Sequence, residues 1–412
     1  MCEVGAGPRA CPGQPQGVAP THATNEQRDT RYETRDTIQY INWLRIIAIY
    51  LVVTAHVAIW QAMASETFTF NWWVGGWLFY LAHVSIPIFV MISGALLLDD
   101  SRRESAGQFY RRRMVRVGIP LVVWTCVYLA VRVFLDAEEL SPAGALRLIL
   151  TGDPYYHLWF LYMIVGLYVI TPPLRTFVRC ARRGERLLVI VVGLVLANAY
   201  FQTDVLIWNN QRSIFTMFVP WIAFYLCGYE LRRIDPGKVP SRYLVLAVLI
   251  SAGYLAAFFD VFMEIEGGVG VRYLFDFFSP PIVFLSIAIF WAAYLHDQKA
   301  KPKSVSRISY LVSRIIPARR DCFSPLASRD TNNEIRDTRY KRRLVEKVSA
   351  ATLGVYVLHP LILDLMRIAF SEHADEGNFL AGVIVVPFVT FVLCYLITSL
   401  LMKIPILRRT VC

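Results

Sequence analysis

Charge is scarce in this chain. Asp, Glu, Lys and Arg make up 18% of its 412 residues, against about a quarter in soluble globular domains, and the mean hydropathy is +0.45. Those figures exclude an ordinary soluble domain. The cysteines form no framework either. Cys2, Cys11, Cys126, Cys180, Cys227, Cys322, Cys394 and Cys412 contain no CxxC pair, and none lies in a segment expected outside the cell. No disulfide scaffold and no metal site is therefore expected. Residues 1–37 lack the apolar core of a signal peptide. Polar and rich in Gly, Pro, Thr and Arg, they are expected to be a disordered cytoplasmic tail. Acidic residues are outnumbered by Lys and Arg, 31 to 42, for a net charge of +11.

What is abundant is apolar sequence, 56% of residues. Windows of about 20 apolar residues, the length that crosses a bilayer, give ten candidate spans: 41–60, 73–98, 115–135, 158–170, 187–201, 214–231, 243–262, 273–295, 350–370 and 380–402. The basic residues then sort by side. One set of connections holds Arg102, Arg103, Arg111, Arg112 and Arg113, then Arg175, Arg179, Arg182, Arg183 and Arg186, then Arg232, Arg233, Lys238 and Arg242. The long basic stretch 296–348 continues that set, and the alternate connections hold only Arg147, Arg212 and Arg272. By the positive-inside rule the basic set is cytoplasmic. The expected fold is an all-α polytopic membrane protein with ten transmembrane helices and both termini in the cytoplasm. Its membrane domain covers 38–403, with a partly disordered loop at 296–348 and a short tail at 404–412. The positive charge is thus a topology signal for the plasma or inner membrane and no sign of a nucleic-acid partner. NEQRDTRY at Asn25–Tyr32 and NEIRDTRY at Asn333–Tyr340 repeat one another, either as a repeated binding motif or as a low-complexity insertion in two cytoplasmic segments that tolerate it.

The first span, INWLRIIAIYLVVTAHVAIW at Ile41–Trp60, carries Arg45 and His56. Ionisable side chains at membrane depth cost at least a few kcal/mol on insertion scales and are usually paired or functional. Eleven steps of about 100° come within about 20° of three turns, so both lie on one helix face, separated by about 16 Å along the axis. An imidazole there can act as a general base at neutral pH.

Other candidates follow along the chain. The second span carries His83 and ends in Ile92-Ser93-Gly94, small residues that permit close helix approach. FYRRRMVRVGIP places Arg113 and Arg116 three apart on one helix face, either as ordinary positive-inside charge or as a seat suited to phosphates where a helix enters the membrane. The acidic segment Asp136–His157 leads into YYHLWFLYMIVGLY, whose His157, Trp159 and Tyr162 suit either an interfacial aromatic belt or a platform on which a sugar stacks. Asp260, Glu264, Glu266 and Asp276 form an acidic outer rim. LGVYVLHPLILDLMRI puts His359 near mid-membrane, with Asp364 and Arg367 spaced to neutralise each other.

Taken together, these residues resemble the acyltransferase 3 family of membrane acyltransferases, closest to its surface-polysaccharide O-acetyltransferase branch of the enterobacterial-common-antigen type. The carrying features are Arg45 with His56 as R-x10-H, the ISG at Ile92–Gly94, Arg113 with Arg116 as RxxR before IP, HLWFLYMIVGLY and LGVYVLHP. The resemblance implies transfer of an acyl group, usually acetyl from acetyl-CoA, to a hydroxyl of a glycan or lipid-linked sugar. It matches His56 to the essential histidine, Arg45 to its partner arginine, and Arg113 with Arg116 to the CoA side. His157, Trp159 and Tyr162 would approach the acceptor, with His83 and His359 as pore-lining helpers. Acyl-CoA is then a co-substrate, and no cofactor is implied. The larger branch has a glutamate where this chain has Ile164, so that carboxylate's role does not carry over. The competing expectation is a transporter of a glycan or acyl intermediate, which predicts inverted repeats; no convincing one is present.

Overall fold

The structure, a computed structural model, describes residues 39–66, 68–99, 104–203, 213–235, 238, 243–252, 277–300, 340–370 and 379–411. The chain divides into two units, 1–38 and 39–412, and the first lies outside the described residues. So do both NExRDTRY segments except Tyr340, most of the 296–348 stretch, and the acidic rim Asp260, Glu264, Glu266 and Asp276.

No strand occurs among the described residues. In chain order the helices are α1 (Gln39–Ala64), α2 (Phe70–Ala82), α3 (Ser85–Leu97), α4 (Ala106–Arg113), a π-helical stretch Met114–Gly118, α5 (Ile119–Phe134), α6 (Pro142–Thr151), α7 (Trp159–Cys180), α8 (Arg183–Thr203) and α9 (Ile222–Arg232). They continue as α10 (Tyr243–Ala252), α11 (Pro280–Ala300), α12 (Tyr340–Ala350), α13 (Thr352–Phe370), α14 (Phe379–Leu401) and α15 (Pro405–Val411). Among the described residues seven helical stretches are long and apolar enough to cross a membrane, α2 with α3 and α4 with α5 each forming one of them, and eight if α12 and α13, bent by 57°, count as one span. Of the ten expected spans, 214–231 is a run of turns followed by the short α9, and of 243–262 only α10 is described. The chain is a multi-pass membrane protein. Helix α11 runs on to Ala300 and α12 begins at Tyr340, so the described parts of 296–348 are helical.

The hub is α1, which packs against α2, α3, α11, α13 and α14. Helix α8 has the opposite character. Leu188, Val191, Val195 and Leu196 are each about 60% exposed, as a face turned to lipid requires.

Prolines decide where these helices break and where side chains bond to them. Proline has no N–H and its ring crowds the carbonyl four residues back. Pro87 accordingly coincides with the turn at His83–Val84 that divides α2 from α3. Pro173 within α7 frees the Val169 carbonyl, which accepts the Tyr110 hydroxyl at 2.8 Å and ties α4 to α7. Pro360 frees the carbonyl of Tyr356, with a consequence for the site.

Helices α3 and α9 cross at a pair of glycines. A Cβ on Gly94 would stand 1.7 Å from the Tyr225 carbonyl oxygen, and one on Gly228 would stand 2.0 Å from that of Met91. The ISG motif thus earns its place as a packing feature. The C-terminal carbonyls of α3 are met by cations, Leu97 by Arg175 Nε at 2.7 Å and Ala95 by Arg232 at 2.9 Å, which also suits the helix dipole. Arg186 at the start of α8 binds the Ala181 carbonyl at 2.6 Å and makes a short ion pair with the buried Glu230 of α9. Outside the spans, Ser141 caps α6 through Gly144 N at 3.0 Å, and Gly152 ends it in the left-handed conformation at φ 73°.

Candidate active site

One end of α1 carries the arginines. Arg45 is partly buried, and Arg45, Arg113 and Arg116 lie within electrostatic reach of one another and of Tyr168 on α7. The π-helical stretch between α4 and α5 contains Arg116, and such insertions are frequent at functional sites. The Arg113 guanidinium lies 5.4 Å from the ring centroid of Phe109 and 5.8 Å from that of Tyr168, and Arg175 covers Phe109 at 4.6 Å. Nε of Arg113 is buried with no hydrogen-bond partner. Glu104 provides a nearby carboxylate, 3.6 Å from Arg112 and acting on Arg113. Three guanidinium groups within electrostatic reach of one another, with the Glu104 carboxylate acting on one of them, form a cationic patch of a kind that suits a phosphate.

The other end carries imidazoles. His56 stacks on His359 with centroids 5.3 Å apart and planes 25° apart, and its ring meets Tyr156 at 4.8 Å. His157 touches His359 at 5.4 Å, Tyr128 at 4.8 Å and Tyr356 at 5.4 Å. The backbone of this box is pinned by side chains. Tyr128 donates to the Val357 carbonyl at 2.7 Å, and Tyr356 donates to the His157 carbonyl. His359 Nδ1 meets the Tyr356 carbonyl at 2.7 Å. Its Nε2 and both ring nitrogens of His157 are buried without a partner, an arrangement that needs an explanation in a folded protein. His56 and Tyr156 retain open surface, Tyr156 being 43% exposed, so they form the accessible side of the cluster.

The turn that precedes the span of α7 shows the electrostatics. Burial, reinforced by His359 and His56, holds the His157 imidazole well below the ordinary histidine value, so it is neutral. Burial, with the bond to Asp364, raises the Tyr155 phenol above its ordinary value, so it keeps its proton. Asp364, expected to be balanced by Arg367, accepts the Tyr155 hydroxyl at 2.6 Å, while Arg367 acts on it electrostatically.

The expected residues therefore fall into groups. His56, His157 and His359 are brought together, as are Arg45, Arg113 and Arg116. His83 reaches His56 electrostatically, with its Nδ1 on the Phe79 carbonyl at 2.9 Å and its ring 4.8 Å from Phe277. Trp159 packs with Phe277 at 5.6 Å and Trp221 at 5.9 Å. Tyr162 turns to α5, where its hydroxyl bonds Thr125 at 2.9 Å. Ile164 is buried in the core. Among the described residues no group of three or more His, Cys, Asp or Glu side chains is placed to hold a metal. The parts not singled out from sequence are Tyr168 and Phe109 beside the arginines and Tyr128, Tyr155, Tyr156 and Tyr356 around the imidazoles. The pair Tyr155-Tyr156 directly before His157 was the available signal.

A family model described as an acyltransferase domain, that of the acyltransferase 3 family, matches residues 38–315. That interval includes Arg45, His56, His83, Arg113, Arg116, His157, Trp159 and Tyr162, and ends before His359. No curated protein and no solved structure matches the chain.

Proposed function

Because the chain belongs to the acyltransferase 3 family and is a membrane acyltransferase, we propose that it moves an acetyl or similar acyl group from cytoplasmic acyl-CoA to a hydroxyl of a surface polysaccharide or lipid-linked glycan. The enzyme works in the plasma or inner membrane, on the O-acetyltransferase branch of the family. The observation that carries this is the division of α1. Arginines gather at one end and imidazoles at the other, along a single helix face.

The arginine end takes the phosphates of the donor. Arg113 and Arg116 meet the charged groups, and Arg45 continues the cationic path towards the thioester. At the other end His56 removes the proton of the acceptor hydroxyl as its oxygen attacks the thioester carbonyl. A C–O bond forms, the C–S bond breaks, and the proton passes to the leaving thiolate, so the products are an ester and free CoA. His157 and the tyrosines beside it, with Trp159 and His83 further along the aromatic wall, suit the approach of a sugar, whose apolar faces stack on rings. A positioned base of this kind contributes about 10²–10⁴-fold in rate.

Membranes carrying the chain are given isotopically labelled acetyl-CoA, and the glycans are compared by mass spectrometry with membranes lacking the gene. Label is expected as an acetyl ester on a glycan hydroxyl. If no acyl label leaves CoA for any glycan or lipid-linked sugar, the proposal fails.

A further inference from the structure

His359 lies beyond the segment matched by the family model, yet it is the side chain against which His56 stacks. Three features of the chain meet there. The first is the His-Pro dipeptide. Pro360 has no N–H to give the carbonyl four residues back, so the Tyr356 carbonyl is left without its helical partner. The Nδ1 of His359 occupies that place at 2.7 Å. A carbonyl only accepts, so Nδ1 carries the hydrogen and Nε2 carries the lone pair.

The second feature is the fate of that lone pair. His359 is fully buried and its Nε2 has no hydrogen-bond partner. The bond from Nδ1 to the Tyr356 carbonyl accounts for a donor at this position, but not for the acceptor left unpaired at Nε2, which is costly in a buried site. The third is the neighbour. His56 is the partly open imidazole of the pair, and its ring lies 5.3 Å away, nearly parallel.

We propose that His359 is a positioning and proton-holding residue that acts through His56. Its ring fixes the plane of His56, and its Nε2 takes the proton that His56 receives from the acceptor hydroxyl. The transfer requires His56 to turn from the stack so that its N–H points at Nε2. The N–H bond on His56 then breaks and one forms on His359, whose Nδ1–H stays on the Tyr356 carbonyl. The proton returns through His56 to the leaving thiolate, leaving both rings neutral for the next turnover. Pro360 is part of the device, because it keeps the Tyr356 carbonyl available. This rests on the acyl-transfer function proposed above.

Two variants of the full-length chain, purified in detergent, test it by kinetics and thermal unfolding together. His359→Phe keeps the ring and removes the lone pair. Pro360→Ala returns a backbone N–H to position 360, where it competes with His359 for the Tyr356 carbonyl. Pro360→Ala is expected to unfold at or above the wild-type temperature, and His359→Phe, which leaves the Tyr356 carbonyl unpaired, below it. Both are expected to lower kcat at least tenfold, with the KM for acetyl-CoA within twofold of wild type. A His359→Phe variant that transfers at the wild-type rate overturns the inference. So does a fall in kcat for His359→Phe no larger than its loss of folded protein at the assay temperature, which would assign the imidazole to the fold. Should the wild-type chain transfer no acyl group, the acyl-transfer function fails, and the inference fails with it. A wild type that transfers normally beside an equally active His359→Phe refutes the inference alone.

Discussion

The two ends of α1 treat polar groups in opposite ways. At the arginine end, guanidinium groups are crowded together, supported by the rings of Phe109 and Tyr168, and left with positive charge to spare. At the imidazole end the groups titrate near neutrality in water, but His157 and His359 keep unpaired nitrogens in a buried aromatic box. The first environment holds a charge of fixed sign. The second holds lone pairs and protons that can change hands. One helix joins them, and its five packing partners hold the two environments in register. Under the proposed function the difference would separate binding of an anionic donor from proton transfer at an acceptor, and the two should respond to different perturbations.

The largest separation is expected from His56→Ala. Loss of a positioned base should lower kcat by about 10²–10⁴-fold and leave the KM for acetyl-CoA nearly unchanged in steady-state transfer assays. A rise in KM as large as the fall in rate would merge the two ends. Next in size is the replacement of both Arg113 and Arg116 by Ala. Charge-assisted contacts of about 1.5–3 kcal/mol each imply a KM for acetyl-CoA raised at least tenfold with kcat largely kept; an unchanged KM would return both arginines to the role of topology signals.

Gly94→Ala should disturb both ends together. Its Cβ would meet the Tyr225 carbonyl and push α3 from α9, a cost of about 1–3 kcal/mol. The readout is a lower unfolding temperature with no selective change in KM or kcat. The smallest effect is expected from Tyr162→Phe, because that hydroxyl is engaged by Thr125. Transfer should stay within about twofold, with about 1 kcal/mol lost from stability; a collapse of activity would place Tyr162 with the imidazoles.

Much of this arrangement is legible in the sequence, for identifiable reasons. Arg45 and His56 share a helix, so their common face follows from the helical repeat alone. Arg113 and Arg116 are likewise a local pair. The spans follow from composition where a helix is long and continuous, as in α1 and α14, and blur where turns interrupt it, as before α9. Arg175 was hidden among the basic residues that mark a membrane face, although it is buried and bonded to the end of α3. No local pattern reveals a partner 78 residues away. His359 was visible as an ionisable residue in a span, but its stacking on His56 depends on α13 packing against α1. The clue to its tautomer was nevertheless written in the sequence, as a proline immediately after the histidine.

The central claim, that the imidazole end of α1 performs the transfer, is tested most directly in a single experiment. Wild-type and His56→Ala membranes with equal amounts of folded protein are given saturating labelled acetyl-CoA, and label arriving on glycan is followed through the first turnover. The wild-type chain should deliver label, and His56→Ala should deliver almost none. Equal delivery by the two would contradict the claim.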